Sequence, residues 1–226
     1  MNPFPELIDS LKSPTERRLV KEYGAVLVTR AIAPPSILFR GESEVQAFQS
    51  SVDIARARLG EHEIELQRPA MEALLSAATE AGTSGRAITP RAPDSGRRSY
   101  QDTVSLWNRN VSRGLDHWEA SGRLDSTRAE RIRKSSPADQ VDLVLEIEEK
   151  EALYFGTFFD RSILYSVAAP GSSQHLTMLA FDVAEHSDES VEKILRDWGW
   201  YRTVTNDLPH FTFLGWSESD LPGLGL

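Results

Sequence analysis

The feature of this chain that most constrains its fold is the order of its periodicities: helical spacing fills the first two thirds, and short apolar runs gather in the last third. Val45, Phe48, Val52 and Ala55 recur at helical spacing and predict a helix over Ser43 to Leu59. Met71, Leu74, Leu75 and Ala78 predict a second over Arg68 to Ala81, with Gly82 and Gly85 beyond its end. A third helix is expected over Ser99 to Trp118. One or two more are expected over Asp125 to Lys150, with Ser136 before Pro137 marking a start, because proline suits the first helical position. Strands are expected at Ala25 to Val28, Ile37 to Phe39 and Ala87 to Thr89, then at Leu164 to Ala169, Leu179 to Val183, Trp200 to Thr205 and His210 to Leu214. Glu189 to Trp198 reads as a helix between these late strands. Helices first and strands late predict an α+β fold, a mostly antiparallel sheet with helices packed on one face.

The 226 residues suit one good-sized domain, or a compact domain with an N-terminal extension, and can bury a core unaided. There is no cysteine, so disulfides, thiolate metal sites and thiol nucleophiles are all excluded. A transition-metal site here must use histidine and carboxylate. The net charge of −9, from 34 acidic and 25 basic residues, repels phosphate backbones and anionic lipid. Nucleic acid and stable membrane insertion are therefore not expected. No stretch approaches the roughly 20 apolar residues of a membrane helix. The first residues lack the apolar core of a signal peptide, which leaves a cytoplasmic location open.

Five histidines are available: His62, His117, His175, His186 and His210. His62, His117 and His186 sit in polar surroundings and read as surface or structural residues. His175 follows a loop of small residues, Pro170-Gly171-Ser172-Ser173, and opens an apolar run that ends in Asp182. A carboxylate within Leu179-Ala180-Phe181-Asp182-Val183 is costly to bury unless a cation or several donors meet it. His210, on the aromatic-rich Phe211-Thr212-Phe213, suits a satisfied core residue equally well. Two histidines and one carboxylate also fit catalytic zinc, which takes three protein ligands and keeps one position for water. Asp207, three residues before His210, is then placed to take that water's proton.

Ser173-Gln174-His175-Leu176-Thr177-Met178-Leu179-Ala180-Phe181-Asp182 resembles the Ser-x-His-x-x-Gly-x-Ala-x-Asp signature of the zinc D-alanyl-D-alanine carboxypeptidases and dipeptidases. This vancomycin-resistance type is related to lysostaphin-like peptidases and the hedgehog signalling domain. Asp94-Ser95-Gly96-Arg97-Arg98-Ser99-Tyr100 resembles the family's Ser-Gly-Tyr-Arg-Ser stretch, with Arg98 at the arginine. Asp207-Leu208-Pro209-His210-Phe211 resembles its closing Glu-x-Trp-His block. The resemblance covers roughly residues 64 to 216. It divides the chain into an extension of unknown role at 1–60 and a peptidase-like domain at 61–226.

The resemblance implies a hedgehog/D-Ala-D-Ala peptidase-like fold and a zinc ion on His175, Asp182 and His210. It implies Asp207 as catalytic base, Arg98 on the scissile carbonyl or the peptide carboxylate, and Ser173 positioning the loop or a substrate group. The substrate would be a peptidoglycan stem peptide or D-Ala-D-Ala peptide, and the location extracytoplasmic. Four departures stand out: Met178 replaces the glycine, Pro209 the tryptophan and Asp207 the glutamate base, and the family's glutamine after the arginine block is missing, with Thr103 near its place. Met178 implies an altered backbone or pocket beside His175. The shorter Asp207 supports an alternative, a zinc-fold binding or regulatory protein with impaired catalysis. A metal-free α+β domain is the third reading.

Overall fold

The computed structural model describes residues 3–226. The chain begins with α1 (Pro3–Ser10) and α2 (Pro14–Tyr23). Ser13 starts α2: its Oγ accepts the Glu16 amide at 3.2 Å, and Pro14 occupies a position whose N–H would have no helical partner. Ala25 to Val28, expected as a strand, instead lies in a 3-10 turn over Gly24–Val28 that continues from α2. Ile37 to Phe39 is likewise not a strand.

α3 (Glu42–Ser51) stops eight residues before the predicted end at Leu59. From Ile54 the side chains alternate with a period of two, and two antiparallel strands form, β1 (Ile54–Leu59) and β2 (His62–Gln67). Gly60, at φ +55°, makes the turn between them. The missed hairpin has a local cause: Val52 and Ala55 continue the helical spacing by coincidence across the change of period.

α4 (Arg68–Thr83) follows directly, and α5 (Tyr100–Ala120) is started by a reciprocal cap between Ser99 and Asp102. α6 (Ser126–Lys134) and α7 (Pro137–Glu151) fill the predicted helical region, the second opening at Ser136 and Pro137 as expected. Leu164 to Ala169 is not a strand. Ile163–Tyr165 forms a 3-10 turn because the buried Glu148 carboxylate accepts the amides of Ile163 (2.7 Å) and Phe155 (3.0 Å) and draws the chain onto α7. The same carboxylate accepts from Ser162 Oγ and from Arg18 of α2.

The last third holds β3 (Ala180–Asp182), α8 (Glu189–Asp197), β4 (Trp200–Tyr201), β5 (His210–Phe213) and α9 (Leu221–Leu224). β5 lies between β3 and β4, antiparallel to both, with Asp182 opposite His210, Phe181 opposite Phe211 and Ala180 opposite Thr212. Ala87 to Thr89 is not a strand; it lies beside β3, where Ala184 N donates to Thr89 O at 2.9 Å and Thr89 donates from its amide and hydroxyl to the Glu185 carboxylate. The architecture is therefore mixed, with two small antiparallel sheets and a helical majority. The expected mostly antiparallel sheet is corrected, because four of the predicted strands are 3-10 turns or loops held by side-chain hydrogen bonds. Among the described residues no helix is long and apolar enough to cross a membrane.

One core gathers Leu19, Val20 and Tyr23 with Trp107, Leu115, Val144 and Phe155, so α2 packs with α5 and α7. A second joins Leu66, Met71 and Leu74 to Phe181, Trp200 and Phe211 behind the three-stranded sheet. The loop that delivers His175 is pinned at Gly171. Its φ is +84°, its carbonyl accepts the Phe39 amide at 3.0 Å, and a Cβ there would sit 1.9 Å from the Phe39 carbonyl oxygen. Gly171→Ala should therefore destabilise the protein by more than about 2 kcal/mol, through backbone clash and left-handed strain together. A urea-denaturation midpoint unchanged from wild type would refute this account of the loop.

Candidate metal centre

Three elements bring the centre together. His175 lies in a 3-10 turn, Gln174–Thr177, after the Gly171 loop; Asp182 ends β3; His210 begins β5. The antiparallel register sets Asp182 and His210 side by side. Single ligand atoms from His175, Asp182 and His210 all lie within 4.8 Å of one another, and the two imidazoles meet edge to face at 4.9 Å between centroids. Both histidines are buried.

This cluster lacks a donor. His175 Nδ1 lies 2.8 Å from the Gly96 carbonyl oxygen, which can only accept, so Nδ1 carries the proton. His175 Nε2 is left as a lone pair, 3.3 Å from Asp182 Oδ1. Gln174 fixes the other ring. Its Nε2 donates to the Tyr23 carbonyl at 2.7 Å, which orients the amide and turns Oε1 toward His210 Nε2 at 2.8 Å. Thr212 Oγ1 also donates to that Oε1. His210 Nε2 therefore carries its proton, and Nδ1 presents a lone pair 3.2 Å from the same Asp182 Oδ1. Two imidazole lone pairs and a carboxylate oxygen thus converge with no donor between them. A divalent cation satisfies all three, and N, N, O donors of this kind fit zinc.

The electrostatics agree. Burial lowers His175 below the ordinary imidazole range, against the opposing pull of Asp182, and so favours its neutral, ligating form. Burial alone would raise Asp182; imidazoles carrying a proton toward it, His175 first and then His210, would pull its carboxyl below the usual range, and with both rings neutral that positive charge has to come from a bound cation. Arg98 is close: its Nη2 donates to Asp182 Oδ2 at 2.8 Å, and its Nε donates to the Asp94 carbonyl at 3.1 Å. The arginine thus orients the carboxylate so that Oδ1 faces the histidines.

Met178 stands at φ +56°, the left-handed conformation a glycine adopts most readily. Of the expected change of backbone or pocket beside His175, the backbone holds a conformation open to glycine and the pocket takes up the methionine. Met178 keeps the turn, accepts roughly 1–2 kcal/mol of strain, and buries its side chain with Phe39, Val45 and Phe48. Burying such a side chain stabilises by about 1.5–3 kcal/mol, enough to offset the strain.

The centre opens on a cavity of about 430 Å³ lined by His175, His210, Arg98, Ser173 and Asp207. Asp207 is exposed, on a turn closed by the His210 amide donating to the Asp207 carbonyl at 3.0 Å. That turn brings a residue three positions before His210 to the cavity, where an unbroken strand would have carried it to the other face. His62 begins β2, His117 stacks on Phe159 at 4.2 Å, and His186 Nδ1 meets the Val183 carbonyl at 3.1 Å. None of these three joins the centre.

Sequence reasoning missed Gln174 and Gln49. Gln49 Nε2 donates to the carbonyls of Arg98 and Leu176, both at 3.0 Å, and ties the arginine block to the histidine turn. It also missed Glu22 and Tyr23, which place α2 in the cavity wall. Burial pushes the Glu22 carboxyl above the usual range, with Arg18 opposing. Only a buried-amide pattern next to a candidate histidine could have pointed to Gln174, and glutamine carries no such mark in sequence.

No family model matches the chain, and no curated protein matches it. Two solved structures are similar to it. The first is a variant of the vancomycin-resistance D,D-pentapeptidase VanY from a VanB-type resistance cassette, in complex with Zn(II). It is 16% identical with a TM-score of 0.40, over 86% of this chain and 89% of that one. The second is VanYB in complex with D-alanine-D-alanine, 16% identical with a TM-score of 0.41, over 86% and 88%. Both are distant likenesses of fold.

If Gln174 sets the His210 tautomer, Gln174→Leu should lower zinc affinity by roughly 10–100-fold, and Gln174→Glu should retain it. Nitrogen NMR of the metal-free protein should show His210 protonated at Nε2 in wild type and a mixed tautomer in the leucine variant; identical spectra would remove this role. His175 gives a pH dependence. Its folded pKa lies below the unfolded value near 6.5, so below that pH the unfolded chain binds the extra proton first and stability is lost as pH falls. Melting temperature of the metal-free protein should drop as pH falls below about 6.5, and drop less in His175→Gln.

Proposed function

We propose that this chain is a zinc metallopeptidase acting on bacterial cell-wall peptides, a D-alanyl-D-alanine carboxypeptidase or dipeptidase. The observation that carries the reading is the convergence of His175 Nε2, His210 Nδ1 and Asp182 Oδ1, all without donors, at the edge of an open polar cavity. The motif resemblance around these same residues supports the substrate class.

His175, Asp182 and His210 would hold the ion. Zinc, when bound, supplies Lewis acidity that acidifies water and polarises a carbonyl. Asp207 is the proton carrier: its carboxylate takes a proton from the attacking water and returns it to the leaving amine. Arg98 has two tasks. Nη2 and Nε are engaged with Asp182 and Asp94, while Nη1 has no hydrogen bond among the described residues, and Arg98 lines the cavity. It is free to meet the scissile carbonyl as negative charge develops there, or the peptide carboxylate. Ser173, buried at the cavity wall, positions the histidine turn or a substrate group. The buried walls around the histidines limit water on one side, and the cavity admits a peptide on the other. The reading places the protein outside the cytoplasm, where such peptides occur.

The exposure of Asp207 favours one second reading, a zinc-binding protein of the same architecture without turnover. Hydrolysis of a D-Ala-D-Ala peptide by the zinc-loaded protein separates the two. Asp207→Asn should keep fold and zinc and lose about 100-fold or more of the rate. Asp207→Glu should keep or raise it. A wild type that binds zinc but cleaves no such peptide, and is not rescued by Asp207→Glu, would establish the binding reading instead.

A further inference from the structure

The cavity extends well beyond the metal centre, and α5 forms its wall. At the near end, Arg98 holds Asp182 just before the helix begins, and Thr103 Oγ1 accepts the Gly171 amide at 3.3 Å. From there Thr103, Leu106, Arg109, Asn110 and Arg113 line the cavity along one face of α5. At 1.5 Å per residue, Arg109 lies about 9 Å and Arg113 about 15 Å along the helix from Thr103. An extended peptide rises about 3.3–3.6 Å per residue. An extended peptide therefore needs about three residues to run from Thr103 to Arg109 and more than about four to reach Arg113.

The two guanidiniums are one helical turn apart on a shared face, an arrangement that like charges disfavour. Neither forms an ion pair among the described residues, although Glu22 and Asp207 line the same cavity. Arg113 uses one N–H on the Thr157 carbonyl at 3.2 Å and lies 5.8 Å over the Phe159 ring. Both arginines are exposed, and both line the cavity. The protein carries a net charge of −9, so its overall field repels acidic ligands. Attraction for an anion has to come from local placement of this kind.

We infer that Arg109 and Arg113 form a distal carboxylate subsite, selecting peptides that carry an acidic group about three residues before the scissile bond. This rests on the peptidase reading above, which sets the C-terminal end of the substrate at the metal. It makes the preferred substrate an acidic oligopeptide rather than a free dipeptide, since a dipeptide at the metal cannot reach Arg113.

The test uses the full chain and two acetylated probes, Glu-Ala-Ala-D-Ala-D-Ala and its counterpart with Gln in place of Glu. KM of the zinc-loaded protein should be about tenfold lower for the glutamate peptide. Raising the salt should shrink that difference. The double variant Arg109→Gln/Arg113→Gln should abolish it and leave the glutamine peptide unaffected. Calorimetric binding of both peptides to the metal-free protein gives a reading independent of turnover. Equal KM and equal binding for the two peptides in wild type would overturn the subsite and leave the peptidase reading standing. If neither peptide is cleaved, but the glutamate peptide binds more tightly and the double variant removes the difference, the peptidase reading falls and the subsite stands. If neither peptide is cleaved or bound, both fall.

Discussion

The structure turns on Asp182 Oδ1, which faces two imidazole lone pairs at 3.3 and 3.2 Å. Left alone, this is a repulsive arrangement of acceptors in a buried place. It persists because each ring is locked from behind: His175 by the Gly96 carbonyl, and His210 by Gln174, which is itself locked by the Tyr23 carbonyl. Backbone carbonyls cannot change their hydrogen-bonding sense, so the lone pairs have no way to turn aside. A cation is the natural occupant, and the surrounding fold reads as the means of keeping these acceptors together.

That dependence explains why distant parts of the chain meet here. Tyr23 ends α2, and α2 is fastened to α7 by Arg18 on the buried Glu148 carboxylate. Glu148 is fully buried and Arg18 is partly exposed, so the charge-assisted contact at 3.0 Å ties α2 to α7. Gln49 of α3 ties the Arg98 block to the histidine turn from the other side. Helices α2 and α3, both within the first sixty residues, therefore reach the centre through Gln174 and Gln49. α5 adds the wall along which the cavity runs.

The turn after His175 shows how a sequence departure can leave geometry intact. Methionine holds the left-handed conformation at Met178 because its side chain fills a pocket of Phe39, Val45 and Phe48. Packing there outweighs backbone preference. The glycine at 171 has no such latitude, since the Phe39 carbonyl occupies the space any side chain would need.

Much of this was legible in the linear chain. Helical spacing marked α4, α5 and α7, and a lone acid on an apolar run marked Asp182, because burying an unpaired carboxylate is expensive wherever it happens. The turn at Leu208 and Pro209 could be anticipated from proline's restricted backbone. The strands at Ala25 to Val28 and Leu164 to Ala169 could not be told from 3-10 turns, since short apolar runs look alike until a partner such as Glu148 takes their amides. The sequence alone determined which residues had the chemistry to bind a cation. Tertiary structure alone decided that His175, Asp182 and His210 meet, which nitrogen each ring offers, and that Gln174 and Tyr23 stand behind them. Hydrogen bonds between residues 151 positions apart leave no periodicity to read.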